Sequence, residues 1–585
     1  MKDSKYRSNG KLLYRRFMLF LFPSVIAAVS VALSEFVDGI MVSNLAGDEG
    51  LAIVTLGSPV MYLISAFYML LGSGGAIVYS TRMGEMKKDE AARAFLCAVF
   101  SAVLIGSLTC LIAIIFRGPI TTLLSAGSGY DDELSGYLVY LFLSIPVVTA
   151  FVTFLMFLPS FGRPNLASAG ILLANVINLT LDYVFIRILG LGIKGAALAT
   201  LTGYIVAAIV ITIIILCGKR KTEFPKTSKD MLRFWAKDFK TLLPRGLPTA
   251  VGQMGFVILT MYCNNVAGKN GGNLGISILA LCIQTQSIVS IVISGGCDSV
   301  VPIIALLSGQ NDNNGVKLVV RKVAAFIGIS VTALMLIFII KPDWICNMYG
   351  TEDEAVRDGF YSAIRIFALY YPLRSLVVLY RDVINALGRE KFSLLVSLQD
   401  GFVGIIFFSL ILCSVYGLDG LWITYPVNAL FTAAMIFVIV FIIKKRSKKK
   451  LLGIFMLPQE DADNLLNLEF MDENDSISEV SSLVEEFCAE RDVKRGTAMK
   501  AGLLAEEMAV YTRAQKTDYP YINILIHMTD ENIRMEFRSI GPGFQPGTAA
   551  SEEEEMSLTL IKKLSASVEY EYAIGMNITR IMLQK

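Results

Sequence analysis

Apolar residues run along most of the chain in blocks of about 20, each long enough to cross the hydrocarbon of a bilayer as a helix. Short polar connectors separate them. The pattern predicts spans at 17–42, 51–80, 92–117, 134–158, 166–189 and 193–217, then a second set at 246–267, 274–307, 318–340, 360–385, 392–415 and 419–443. Near residue 455 the period shortens. Two helical stretches, Ile477–Arg491 and Gly496–Ala514, precede alternating strands at Tyr521–His527 and Ile533–Phe537, then a Gly/Pro turn and the acidic run Glu552–Glu555. The expected fold is an all-α polytopic membrane protein of about twelve transmembrane helices in two six-helix lobes, plus a small α+β cytoplasmic C-terminal domain. The expected divisions are an N-lobe at 10–217, a linker at 218–245, a C-lobe at 246–445 and a tail domain at 455–585, an ordinary domain size.

Composition agrees. Of 585 residues, 54% are hydrophobic and 17% charged, against about 25% charged in soluble proteins. The nine cysteines form no C-x-x-C pair, and the single histidine, His527, argues against a zinc centre or a histidine-based triad. No cofactor, enzymatic activity or nucleic-acid partner is expected. The net charge of +2 says little, but its placement matters. Basic connectors (the N-terminus, Arg82–Arg93, Gly162–Pro164, Lys219–Lys240, Lys317–Lys322, Gly388–Lys391, Lys444–Lys450) alternate with glycine-rich or acidic ones. Lys/Arg excess marks the cytoplasmic side, which places both termini and the linker there. The apolar run behind the basic start is too long for a signal peptide and reads as the first span.

The chain repeats itself. Gly84 and Gly309 are 309−84 = 225 apart, and Pro146 and Pro372 are 226 apart. "FGRPN" at 161–165 answers "LGREK" at 387–391, "GIKG" at 192–195 answers "GLDG" at 417–420, and "NLAG" at 44–47 answers "NVAG" at 265–268. Such repeats are typical of secondary transporters, with the substrate cavity between the copies.

Charges inside a bilayer need a reason. The first half carries Glu35, Asp38 and Asp182 in apolar surroundings. Asn178 and Asp182 are four apart and share a helix face, with Asn175 one turn earlier. Thr200 and Thr202 lie on the next helix. Two carboxylates, an amide and a hydroxyl form a hard-oxygen set suited to Na⁺ or to a shared proton. Shifted by the repeat, Asp38 maps to Leu259, Asn178 to Gly404 and Asp182 to Phe408, so the acids are not demanded by the fold. The plainer reading is that Asp182 pairs structurally with a buried amide. In the second half, Arg374 either meets an anionic substrate group or pairs with Asp400; Arg381 and Asp382 are expected to pair or snorkel.

"FVDGIMVSNLAG", "RMGEMKKDEAA", "FGRPN" and "LGLGIKGAALAT", in this order and spacing, resemble multidrug and toxic compound extrusion (MATE) transporters over roughly residues 10–445. The resemblance implies a bacterial inner-membrane antiporter, monomeric, exporting small organic compounds against Na⁺ or H⁺. It places the cation site at Asp38, Asn178, Asp182 and Thr200, with Glu35, Asn175, Thr202 and Arg374 as secondary candidates. A lipid-linked glycan flippase of the same superfamily and a membrane receptor signalling through the tail are the alternatives.

The tail resembles the ATP-binding fold of anti-sigma-factor and histidine kinases: "LLAEEMAVYTRA" its N-box, "RSIGPGFQP" its first glycine box, "LIKKLSASVEYEYAIGMNITRI" its closing helix and strands. Glu507 survives. Tyr511 stands where the Mg²⁺-ligand Asn belongs, Ser539 where the adenine-binding Asp belongs, and Glu552–Met556 replace the lid. Four carboxylates there repel phosphates. The expectation is a non-catalytic regulatory or protein-binding module rather than an active ATPase, with a cytoplasmic protein or a nucleotide as its partner.

Overall fold

The computed structural model describes residues 8, 10–125, 129–218, 231–447, 451–459, 464–515, 518–544 and 552–585. The linker stretch 219–230, the basic run 448–450, the start of the chain and the side chain of Glu35 lie outside the described residues.

Helix α1 (Lys11–Tyr68) is broken at Gly47, whose φ of 73° a side chain would resist. It passes through a π-turn, Met69–Ser73, into α2 (Gly74–Gly84). Then come α3 (Lys88–Ile115), the short α4 (Arg117–Ser125), α5 (Asp131–Phe157), and α6 (Pro164–Asp182), which opens with proline at its first turn as helices favour. A second π-turn, Tyr183–Ile188, extends α6, and α7 (Ile193–Cys217) returns beside it after Gly192 at φ 57°. The second half opens with α8 (Met231–Gln310), broken at Gly272. It continues through α9 (Asn313–Ile340) and α10 (Asp343–Met348). Helices α11 (Glu354–Phe367) and α12 (Tyr370–Ala386) are bent against each other by 47°. A third π-turn, Gln399–Val403, joins α13 (Glu390–Leu398) to α14 (Gly404–Tyr416), and α15 (Leu418–Arg446) closes the bundle.

Among the described residues, ten helices are long and apolar enough to cross a membrane, or eleven if the bent pair is one span. One of them, Arg233–Gln310, is 78 residues long. At 1.5 Å per residue it would measure roughly 117 Å if straight, several times the ~30 Å hydrocarbon layer. Large apolar side chains such as Leu108, Ile213, Leu410 and Phe441 are exposed on the outside of the bundle, as a lipid-facing surface requires.

The halves meet through glycine. Gly84 lies against the backbone of Leu306 and Gly309, and Gly309 against that of Thr81 and Gly84, with no room for a Cβ on either. Gly246 is pressed in the same way against Leu70. The repeat-related glycines therefore do a common job: they let helix ends of the two halves touch on the face that carries the basic connectors.

The tail begins with a small ladder of β1 (Leu451–Leu452) and β2 (Leu457–Pro458). After it come β3 (Leu465–Met471), α16 (Asn474–Ala489), α17 (Arg495–Ala514), β4 (Tyr521–Met528), β5 (Asn532–Ile540), α18 (Glu552–Leu564), β6 (Ser567–Ala573) and β7 (Met576–Gln584). The antiparallel sheet runs β3-β4-β5-β7-β6. Its strand alternation sends Ile524, Ile526, Met535, Phe537 and Ile581 into one core with Val480, Val484 and Leu504 of the helices. The opposite face carries Glu469, Asn523, Glu536, Arg538 and Glu571. Alternation of this kind normally marks a solvated face, yet each of these residues is buried. Ile540, Ala573, Ile574, Met576 and Ile578 join the core of the membrane bundle. The tail is seated on the bundle.

Candidate functional site

Helices α1, α6 and α7 bring the four primary candidates together. Asn175 donates from Nδ2 to the Ser30 carbonyl at 3.2 Å and to its Oγ at 3.1 Å, tying α6 to α1. One turn on, Asn178 donates to Thr200 Oγ1 at 3.3 Å, tying α6 to α7. Gly203 makes that approach possible, because a Cβ there would stand 3.1 Å from the Asn178 nitrogen and 3.2 Å from the Ala174 carbonyl. With both neighbouring helices fixed, Asp182 ends the α-helical part of α6, directly before the π-turn. π-Turns insert a residue into the helix and re-aim side chains, often at functional sites.

The carboxyls of Asp182 and Asp38 lie close enough to interact strongly with each other. Asp182 is fully buried, and neither of its oxygens meets a donor among the described residues. Structural pairing with an amide is therefore not what the geometry shows: Asn178 spends its amide on Thr200. Two facing carboxyls with no donor between them need a proton or a cation, since bare like charges at such range repel. Tyr137 of α5 stands near both acids and packs its ring against Gly57. The sequence reading passed over it, since a tyrosine in a span carries no special signal there.

The secondary candidates divide. Asn175 positions helices, as above. Thr202 donates to the carbonyl of Leu198 in its own helix. Arg374 lies 3.6 Å from Asp400 and over the ring of Tyr370, in the second half and apart from the acid pair. Arg381 forks onto Asp382 at 2.9 and 3.2 Å. Among the described residues, no three His, Cys, Asp or Glu side chains gather as a metal cluster. The oxygens of Asp38, Asp182, Asn178 and Thr200 are hard donors, the type that small hard cations prefer.

The family profile MatE matches this chain twice, at residues 23–184 and again at 248–411. The chain belongs to the MatE family. The second match begins 248−23 = 225 residues after the first, the offset of the internal repeat. The chain is similar to multidrug export protein MepA of Staphylococcus aureus, 22% identical over 451 residues, covering 76% of this chain and 98% of the relative. MepA of Staphylococcus haemolyticus is 23% identical over 432 residues, covering 72% and 92%. Among solved structures, a Vibrio cholerae MATE transporter aligns with a TM-score of 0.69 at 17% identity, covering 76% of this chain and 99% of its own. A Pyrococcus furiosus transporter of the MOP superfamily aligns at 0.67 and 21%, covering 76% and 100%. MatE proteins are multi-pass membrane transporters and not enzymes, and this chain is one of them. The relatives are spanned almost completely by about three quarters of this chain.

Proposed function

We propose that this MatE transporter exports small organic compounds by antiport with Na⁺ or H⁺, taking the cation at Asp38, Asn178, Asp182 and Thr200. The observation that carries the reading is the fully buried, donor-free Asp182 carboxyl facing Asp38. A cation bound between the acids neutralises the pair and draws α1 and α6 together; its departure leaves a repulsion that favours the other arrangement of the lobe. Each elementary charge moved inward gains about 2.3 kcal/mol per 100 mV of membrane potential. The relatives' names supply the substrate class, multidrug export.

The architecture in this reading is twelve spans in two parallel lobes. The break at Gly272 divides α8 into two crossings, and the bent pair α11–α12 makes one. The Lys/Arg-rich connectors support a reading with both termini in the cytoplasm of a bacterial cell. Arg374 is held by Asp400, which takes away the support it gave to a pyrophosphate-binding flippase. In the tail, Phe544 packs edge to face with Tyr511 at 5.6 Å and at a tilt against Tyr570 at 4.8 Å. Tyr570 accepts from the Phe544 nitrogen at 3.0 Å and donates to Asn577 at 2.6 Å. The position that would ligate Mg²⁺ is thus part of a packed aromatic cluster, which favours a protein-binding or regulatory module over a nucleotide site.

The test is export from proteoliposomes under separately imposed Na⁺ and pH gradients. Asp182→Asn is expected to lose the response to whichever gradient drives the wild type. A variant that exports at the wild-type rate, with the same ion dependence, overturns the proposal.

A further inference from the structure

The buried polar face of the tail sheet grips both halves of the bundle at matching places. Arg580 donates from Nη2 to the Gly84 carbonyl at 3.0 Å and from Nη1 to that of Glu85 at 3.4 Å, at the end of α2. Arg534, on the neighbouring strand, donates to the Gln310 carbonyl at 3.0 Å, at the end of α8. Gly84 and Gly309 are repeat-related and pack backbone to backbone, so two arginines of one sheet cap the two helix C-termini that meet there. Cations at helix C-termini are stabilised by the exposed carbonyls and the helix dipole. Glu536 ties the arginines together, reaching Arg580 at 2.8 Å and Arg534 and Arg538 at 3.6 Å. Arg538 closes the grip with a 2.6 Å ion pair to Asp312, both side chains fully buried.

The grip extends to the second repeated pair of loops. In the first half, the hairpin tip Ile574–Gly575 enters the 161–165 loop. The Ile574 nitrogen donates to the Ser160 carbonyl at 2.9 Å, Gly162 leaves room for Gly575, and Arg16 reaches the Ile574 carbonyl. In the second half, Arg389 of the 387–391 loop donates to the Met456 carbonyl at 2.5 Å. The N-terminus is held as well: Glu469 accepts from the backbone nitrogens of Lys11 and Leu12 at 3.0 and 2.6 Å.

We propose that the tail domain is a clamp on the transporter's gate: it holds the ends of α2 and α8 together, and the bundle opens on this face only when the tail lifts away. Two features support it. The contacts span the lobes where the ends of α2 and α8 touch through Gly84 and Gly309, so separating those ends breaks the grip. Much of the docked face is also charged: Glu469, Glu536, Arg538 and Glu571 lie beside the smaller apolar edge of Ile540, Ala573, Ile574, Met576 and Ile578. Exposing the apolar edge costs free energy and favours docking, whereas the charged part hydrates readily once released. Buried ion pairs give little net adhesion relative to apolar packing but fix position closely. A reversible clamp has those properties.

The inference goes beyond the proposed antiport and is tested by distances that need no substrate. Spin labels on unnatural side chains at Asp89 and Lys317 read the separation of the lobes. A pair at Lys317 and Glu531 reads the docking of the tail. The two pairs are measured separately in the full chain in nanodiscs. Asp312→Asn keeps the side-chain oxygen that accepts from the Gly315 nitrogen at 2.7 Å while removing the charge that holds Arg538. It alters no tail residue, so the tail's own fold is left intact. Arg580→Gln and the double variant release the other contact. The expected result is a second, longer population for 89–317 that grows together with undocking in 317–531, largest in the double variant. A tail that lifts while 89–317 stays unchanged overturns the proposal, and so does a double variant whose tail stays seated.

Discussion

The two halves of this transporter share a backbone plan and differ in what they put at one spot. In the first half, Asn178 and Asp182 project from α6, Thr200 comes in from α7, and the Asp38 carboxyl faces Asp182. In the second half the equivalent residues are Gly404, Phe408 and Leu259. There the space is filled: Gln399 donates to Asn428 at 3.3 Å, and the bare Cα of Gly404 lies where a side chain would run into both. Phe408 packs edge to face with Phe431 at 5.2 Å. The one acid nearby, Asp400, faces Arg374. One copy thus keeps a buried acid, Asp182, with no donor on either oxygen, whereas the other sets its acid, Asp400, against an arginine. A duplicated fold needs only the second arrangement, which supports the binding role proposed for the first.

This contrast can be broken most directly with Asp182→Asn and Asp400→Asn side by side. The first is expected to lower gradient-driven export about 100-fold, the scale on which lost ligand-shell groups weaken an ion site. The second should leave the ion dependence unchanged and show only as lower thermal stability. Equal effects of the two on ion dependence, measured in the same liposomes, would erase the distinction between the halves. Next in size, Gly404→Asn restores the missing amide of the repeat. Crowded by Asn428 and Gln399, it should cost about 1–3 kcal/mol as overpacking does, read as a drop in the unfolding midpoint without any new ion response.

The tail adds a further asymmetry, since Glu571 is buried beside Lys88 and Tyr79 of the first half. Neither of its oxygens meets a donor among the described residues, and burial raises it to about 8 although Lys88 and Arg580 pull it down and Glu569 pushes it up. Tyr79 is its neighbour from the bundle. Once undocked, the carboxyl returns to about 4.3. Between those values the released form is charged and the docked form protonated, so docking takes up a proton. Docking therefore weakens as pH rises through that window, by at most about 1.4 kcal/mol per unit. Glu571→Gln should flatten the pH dependence of the 317–531 distance between pH 6 and 8. Smallest is Thr200→Val, which leaves the Asn178 amide without its acceptor. About 1 kcal/mol is lost, seen as roughly a fivefold rise in the half-saturating concentration of the coupling cation.

Much of the candidate site was legible because each part had a local signature. The i, i+4 spacing of Asn178 and Asp182 put them on one face, and acids in apolar blocks stand out against their background. Tyr137 had no such mark, and its place beside the acids depends on how α5 packs against α1. The choice for Arg374 between a substrate and Asp400 was equally closed to sequence, because the two residues lie on different helices. In the tail, β4 and β5 were visible as alternating runs. The strand β3 was not singled out: "LLNLEFM" has apolar residues on both sides of much of its length, and its pairing with β4 fixes it only in three dimensions.

The sequence by itself determined the membrane class, the duplication and the oxygen donors on offer. Those rest on composition, on offsets along the chain and on the period of one helix, all of them local properties. Only the tertiary structure decided that the Asp38 and Asp182 carboxyls face each other without a donor, and that the charged face of the tail sheet is buried. Alternating charges on a strand look the same whether water or another domain covers them. What covers them depends on surfaces hundreds of residues apart meeting, as Arg538 meets Asp312.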